Sequence, residues 1–226
     1  LRKKSTGILL ACCLFFADAV YCTVERCRNR CCGEERKRRF MDEMFQLLKD
    51  PLYLREVELT DLPDLDLYMD QIITLFSEKT QDPDGVLTKT MINNYSKEGL
   101  LKPIKGKKYS KEHVLQMLLI SHLKQTISIQ QIKGVMNGIS QEAAAQEKSS
   151  EQMFREVYSG YLTNRENDRE VMEQVLEVLL AKYPADDPES AAKLLMQLSW
   201  LSYMAKKMCD ALVERRFPLP DKKKEK

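Results

Sequence analysis

Beyond residue 40 the chain contains one cysteine, Cys209, so that part rests neither on disulfides nor on a thiolate metal cage. Its eight glycines are spread singly along 226 residues, and no glycine-rich phosphate loop is present. Two histidines occur, His113 and His122, and their separation keeps them off one helix face, unlike ligands paired one turn apart. Both read as surface residues, with His122 available to a phosphate. No internal repeat is visible, and no nucleophile stands at a recognisable spacing from a base. These absences point away from an enzyme, and no cofactor or metal is called for.

Acidic residues are scarce in one place only. Residues 88–133 carry nine lysines, no arginine and two acids, Glu98 and Glu112. Residues 41–87 carry three Lys+Arg against twelve Asp+Glu, and residues 134–226 fourteen against sixteen. The formal net charge of +2 averages over these regions and hides the basic island. Lysines crowded onto a small unit suit a polyanion, because each phosphate contact displaces condensed counterions. The plain alternative for any one of them is a solvated helix face.

The basic island is punctuated like a compact helical unit. Thr88 is a good N-cap, Met91, Ile92 and Tyr95 follow at helical spacing, and Gly99 ends a helix of about ten residues. Leu100 to Pro103 then reads as extended chain, Lys105 to Lys107 as a turn around Gly106, and Lys108-Tyr109 as the returning strand of a minimal hairpin. Ser110 caps a second helix with Val114, Leu115, Leu118, Leu119 and Leu123 as its stripe. Ser128 with Gln131 forms a capping box that opens a short helix, which Asn137-Gly138 closes. Short helix, basic wing, longer helix and short helix spell a winged helix-turn-helix.

These residues carry a resemblance. Ile92, Tyr95, Glu98-Gly99-Leu100-Leu101, Pro103, Tyr109-Ser110 with Glu112 and Val114, and Ser128-Ile129-Gln130-Gln131-Ile132 resemble the DNA-binding domain of the mercury-resistance-regulator (MerR) superfamily over about fifty residues. With the acidic segment from Asp61 to Gln71 added, the match is closer to a bacterial family known only as a domain of unknown function. The resemblance implies a winged-helix fold and a nucleic-acid partner. Asn93 and Asn94 stand where the superfamily has arginine and tyrosine, and asparagine can pair bidentately with adenine.

Outside the island, Asp61 reads as the cap of a first helix, with Pro63 in its first turn and Leu65, Tyr68, Met69, Ile72, Ile73 and Phe76 on one face. Its acids Asp64, Asp66 and Asp70 suit a helix N-terminus better than a metal. Two further helices are expected near 150–162 and 168–183, and a long last one from Pro188 to about Arg216. The first forty residues hold six of the seven cysteines and ten Lys+Arg. The apolar run there is too short for a lipoprotein signal or a membrane span, and it is read as a non-native or disordered extension ahead of Met41.

The expectation is thus a mainly α-helical protein with residues 41–140 as a MerR-like winged helix-turn-helix, 141–217 as a C-terminal helical bundle for dimerisation or an effector, and 218–226 as a basic disordered tail. It would be a cytoplasmic bacterial transcription regulator, a homodimer on double-stranded DNA with no membrane contact, and the chain leaves open whether it answers a small-molecule effector. Thr88, Lys89, Asn93, Asn94, Tyr95 and Lys97 would face the DNA, with Lys105, Lys107, Lys108 and Tyr109 gripping its backbone. The rival reading is a protein-binding adaptor that uses the same unit as a scaffold.

Overall fold

The computed structural model describes residues 24–82, 85–104 and 106–218, with side chains from residue 35 onward. The expectations for the extreme N-terminus, including Cys12, Cys13 and Cys22, lie outside the described residues, as do Lys105 and the tail from 219. The chain divides into two compact units, Leu1–Glu43 and Met44–Lys226. Helix α1 (Val24–Lys49) supplies the described part of the first and the opening residues of the second. Among the described residues no helix is long and apolar enough to cross a membrane.

The second unit is mainly helical, with one small antiparallel sheet. After 3-10 turns at Asp50–Tyr53 and Leu59–Asp61 come β1 (Leu67–Tyr68), α2 (Met69–Lys79), α3 (Lys89–Lys97), β2 (Lys108–Tyr109), α4 (Lys111–Leu123), α5 (Ile129–Ala145), α6 (Ser150–Lys182) and α7 (Pro188–Arg216). Helix α4 is the centre: every residue from His113 to Ser121 is buried, wrapped by α5 and the first half of α6. One apolar cluster runs from Val57 through α2–α5 to Met153, Phe154 and Tyr158 on α6 and Val213 on α7.

Three helices begin with the same local device. Leu87, Tyr109 and Ile127 precede the caps Thr88, Ser110 and Ser128, and each is buried along with the residue four places past its cap: Ile92, Val114 and Ile132. This is the hydrophobic staple, which fixes the angle at which the chain enters a helix. Thr88 Oγ1 accepts from the Met91 amide at 3.2 Å, and Ser128 and Gln131 exchange bonds of 3.3 and 2.8 Å. At Ser110 the partner is His113, whose Nδ1 accepts from the Ser110 amide at 3.1 Å. Gly99, at φ +70°, closes α3 in a Schellman turn, with Leu100 N–H donating to Tyr95 O and Gly99 N–H to Ser96 O.

Several boundaries differ from expectation. The first helix of the unit starts at Met69, not near Asp61, because Asp61 closes a 3-10 turn by accepting from the Glu58 amide, and Gln71 caps Tyr68 instead. Leu65 and Tyr68 are consequently exposed. Asn137-Gly138 does not end α5, which runs on to Ala145; the glycine is needed there because a Cβ would lie 2.4 Å from the Phe217 ring. The two helices expected between 150 and 183 are one, since no proline or glycine pair interrupts Thr163 to Asp168.

The second half of α6 and the first half of α7, joined through 183–187, form a helical hairpin. Only Leu176, Leu180 and Leu194 are buried within it. Asp187 Oδ1 caps α7, accepting from the amides of Glu189 and Ser190, with Pro188 at the first position as expected.

Candidate nucleic-acid interface

Helix α3 turns Ile92 and Tyr95 into the core and leaves Thr88, Lys89, Asn93, Asn94 and Lys97 exposed. Tyr95 was expected on the outer side, yet it is only 5 % exposed: it lies one turn after Ile92, on the same face. The outer face is not covered by α6 or α7. Beside its C-terminal end an open groove of about 480 Å³ is lined by Met91, Asn94, Lys97, Glu98, Ile129 and Gln130, and Lys133 reaches from α5 to the Glu98 carbonyl at 2.9 Å.

The expected hairpin is corrected more deeply. Lys108-Tyr109 does pair, but with Leu67-Tyr68 far upstream, in the register Leu67↔Tyr109 and Tyr68↔Lys108. The segment 100–103 cannot serve as the partner strand. Leu100 and Leu101 are drawn into the core, Pro103 has no N–H, and both backbone groups of Lys102 are taken. Its carbonyl lies 3.1 Å from His113 Nε2 and its amide donates to Gln116 Oε1. Tyr109, expected to grip the backbone of DNA, is 3 % exposed because it occupies the staple position and stacks edge-on against His113 at 5.8 Å. The exposed residues of the turn are Lys107 and Lys108, with Gly106 at φ +77° permitting the reversal.

The sheet has a consequence for the site. Pairing β1 with β2 places Lys108 over the Tyr68 ring at 5.2 Å, and Tyr68 opens α2. One residue into the first turn of that helix, Asp70 meets Lys89 of α3 at 2.8 Å. The basic turn and the start of α3 are thereby joined through a few residues. Asp70 neutralises part of this surface, and Asp64 holds Lys111, which keeps the Asp64 carboxyl below its usual pKa. Among the described residues Lys97 and Lys107 make no ion pair.

Two histidine readings are corrected. His113 is buried and structural, accepting at Nδ1 from the Ser110 amide, with Nε2 left to donate to the Lys102 carbonyl. The signal was present in the chain, since His113 is the third residue of its helix, where a capping-box partner sits. His122 is not free for a phosphate. It packs against Tyr158 and Tyr161 and lies 3.6 Å from Glu56. Burial holds its pKa below the ordinary 6.5 although Glu56 pulls the other way.

That cluster belongs to a feature the sequence reading missed. Tyr158, Tyr161, Arg165 and Arg169 follow one another along one face of α6 and bind the chain from 52 to 57 in order. Tyr158 donates to Val57 O at 2.7 Å, Tyr161 to Glu56 at 2.9 Å, Arg165 to Leu54 O at 2.5 Å and Arg169 to Leu52 O at 2.9 Å. Burial, with Glu56 nearby, pushes both phenols well above their usual range, the opposite of activation as bases or nucleophiles. Among the described residues no group of three or more His, Cys, Asp or Glu is arranged to hold a metal.

Residues 57–159 match a family model described as a domain of unknown function, DUF1836. The match begins at the buried Val57 and ends one residue past Tyr158, the two residues joined by the hydrogen bond above. No curated protein and no solved structure matches the chain.

Proposed function

We propose that this protein is a DNA-binding transcription regulator of bacterial origin, and that its 57–159 unit works as a MerR-like winged helix-turn-helix. One observation carries the reading: the outer face of α3, bearing Asn93, Asn94 and Lys97, is left uncovered, and its first turn is linked through Asp70 and Tyr68 to the lysines of the 106–108 turn. Helix α3 has nine residues, about 14 Å of helix, which a major groove admits. Asn93 and Asn94 would read base edges, and Lys97, Lys107 and Lys108 would hold phosphates. Asp70 would yield Lys89 to a phosphate, a cheap exchange because both partners of that pair are largely exposed.

Binding of a random-sequence duplex, followed by fluorescence anisotropy from 50 to 200 mM salt, tests this. The account expects saturable binding whose logarithm falls linearly with the logarithm of salt, by roughly 0.9 per phosphate engaged. Lys107→Ala should weaken all duplexes evenly and flatten that slope, and Asn93→Ala should change preference in a selection from random duplexes. No binding at 50 mM salt would favour the adaptor reading. Its support is Leu65, 61 % exposed between Asp64 and Asp66, an apolar residue in an acidic setting on the same unit.

A further inference from the structure

Two stretches of the chain carry no acid at all, residues 113–141 and residues 190–209, and the fold sets them side by side. The first covers most of α4 and α5 with their connection, and the second the greater part of α7. They meet where Lys206 Nζ donates to the Thr126 carbonyl at 2.9 Å. One turn further along α7, Gln131 Nε2 donates to Asp210 Oδ1 at 2.9 Å, and beyond that the Phe217 ring lies against Gly138. The end of α7 therefore follows one flank of α5. The opposite flank belongs to α3, since Ile129 and Gln130 line the groove beside Lys97 and Lys133 reaches the Glu98 carbonyl.

The three helices also turn the same kind of side outward. Ile92 and Tyr95 of α3, Ile132 and Val135 of α5 and Val213 of α7 face the core, which leaves Asn93 and Lys97, then Gln130, then Lys207 on the outer side. Lys207 is one residue, or about 100°, around α7 from Lys206, turned away from Val213, with its ammonium over the exposed Tyr203 ring at 5.5 Å. Of the carboxylates at this end of α7, Asp210 is turned toward Gln131 and Glu214 stands two turns past Lys207. Helix spacings of about 10 Å put α7 about 20 Å from α3. A helix lodged in a major groove about 12 Å wide has the phosphates of the bordering strands within such a reach.

We propose that Lys206 and Lys207 bind backbone phosphates, so that α7, outside the family-matched 57–159 segment, contributes to the DNA-contacting surface. This rests on the DNA reading above and adds to it a second grip. The lysines of the 106–108 turn are tied to the start of α3 through Tyr68, Asp70 and Lys89, whereas the α7 pair lies past its C-terminal end. A recognition helix held by phosphate contacts at both ends is fixed in register as well as in depth.

Anisotropy with a random-sequence duplex on the full chain, across the same range of salt, tests it. Replacing both Lys206 and Lys207 by alanine should flatten the salt dependence by about 1.8 in the log–log slope, roughly 0.9 for each phosphate lost. Lys207→Glu should weaken binding by about tenfold at 50 mM salt, while Lys193→Glu, the same charge change about 21 Å back along α7, should alter it by less than about twofold. Circular dichroism should be unchanged in all three, because these lysine side chains are largely exposed. Reductive methylation read by mass spectrometry should show Lys206 and Lys207 protected by the duplex, and Lys182 and Lys193 unprotected. Binding by the unchanged chain with Lys207→Glu no weaker than Lys193→Glu, or with the α7 pair as reactive bound as free, would overturn this inference and leave the DNA reading standing. No binding by the unchanged chain would overturn both.

Discussion

The family-matched unit and the hairpin beyond it are built from the same kind of amphipathic helix, yet they stand in opposite conditions. In the first, Ile72, Ile92, Leu115, Met117, Ile132 and Phe154 are sealed from solvent around α4. In the second, the latter half of α6 and the first half of α7 bury only Leu176, Leu180 and Leu194, and most of their other large apolar side chains remain wet. Four or five elements packed around one central helix complete a core; two helices cannot, since each must bury a stripe and has one neighbour to bury it against. The unit is therefore expected to hold its fold at any concentration, and the hairpin to depend on what it meets.

The sharpest way to break that contrast is to hollow out the first region. Phe154→Ala should cost about 3–5 kcal/mol in urea unfolding, at any protein concentration, because the residue is enclosed by α4, α5 and α6 and the site cannot collapse. Leu180→Ala in the hairpin should cost less, because fewer elements surround the residue. Equal losses from the two changes would mean that the hairpin is packed as tightly as the first region.

Next in size is the seam along α6. Tyr158→Phe removes the donor to the buried Val57 carbonyl and should cost about 1–3 kcal/mol, the penalty for an unsatisfied buried polar group. Ser128→Ala, which breaks the capping box of α5, should cost about 1 kcal/mol by the same assay.

The pH dependence should be smaller and has a definite sign. Because burial lowers the folded-state pKa of His122 below 6.5, the unfolded chain takes up that proton at a higher pH than the folded one. The contribution is full above pH 6.5 and is lost as pH falls from there through the folded value. Charged or titratable groups facing it are Glu56 before the core, Asp82 after α2, and Tyr158, Tyr161 and Arg165 on α6. His122→Phe should flatten the urea midpoint between pH 7 and pH 5 relative to the unchanged chain; an equally steep profile in both would remove His122 as the cause.

What could be read from the chain follows from locality. Caps, staples and the glycine at φ +70° are written within five residues of one another, so α3, α4, the start of α5 and the start of α7 were all legible. Contacts that bring distant segments together were not. Lys108-Tyr109 had an obvious neighbour in Leu100 to Pro103, and only the capture of Lys102 by His113 and Gln116 explains why it pairs with Leu67-Tyr68 instead. The row Tyr158, Tyr161, Arg165, Arg169 showed helical spacing, but nothing local named residues 52–57 as its partner. Of the candidate site, Thr88, Lys89, Asn93, Asn94, Lys97, Lys107 and Lys108 lie at the surface, whereas Tyr95 and Tyr109 were lost to the core by the same helix and staple rules that placed their neighbours.

The smallest expected change in stability belongs to the residues given the largest role. Asn93→Ala and Lys107→Ala should shift the unfolding midpoint by under about 0.5 kcal/mol, since both side chains are exposed, while altering how the protein meets DNA. The most direct measurement is anisotropy with a random 30-base-pair duplex at 50 mM salt, comparing the unchanged chain with a variant carrying Lys97→Glu, Lys107→Glu and Lys108→Glu. The account predicts saturable binding by the first and a loss of at least a hundredfold in the second, with both equally folded. Equal affinity in the two, or none in either, would contradict it.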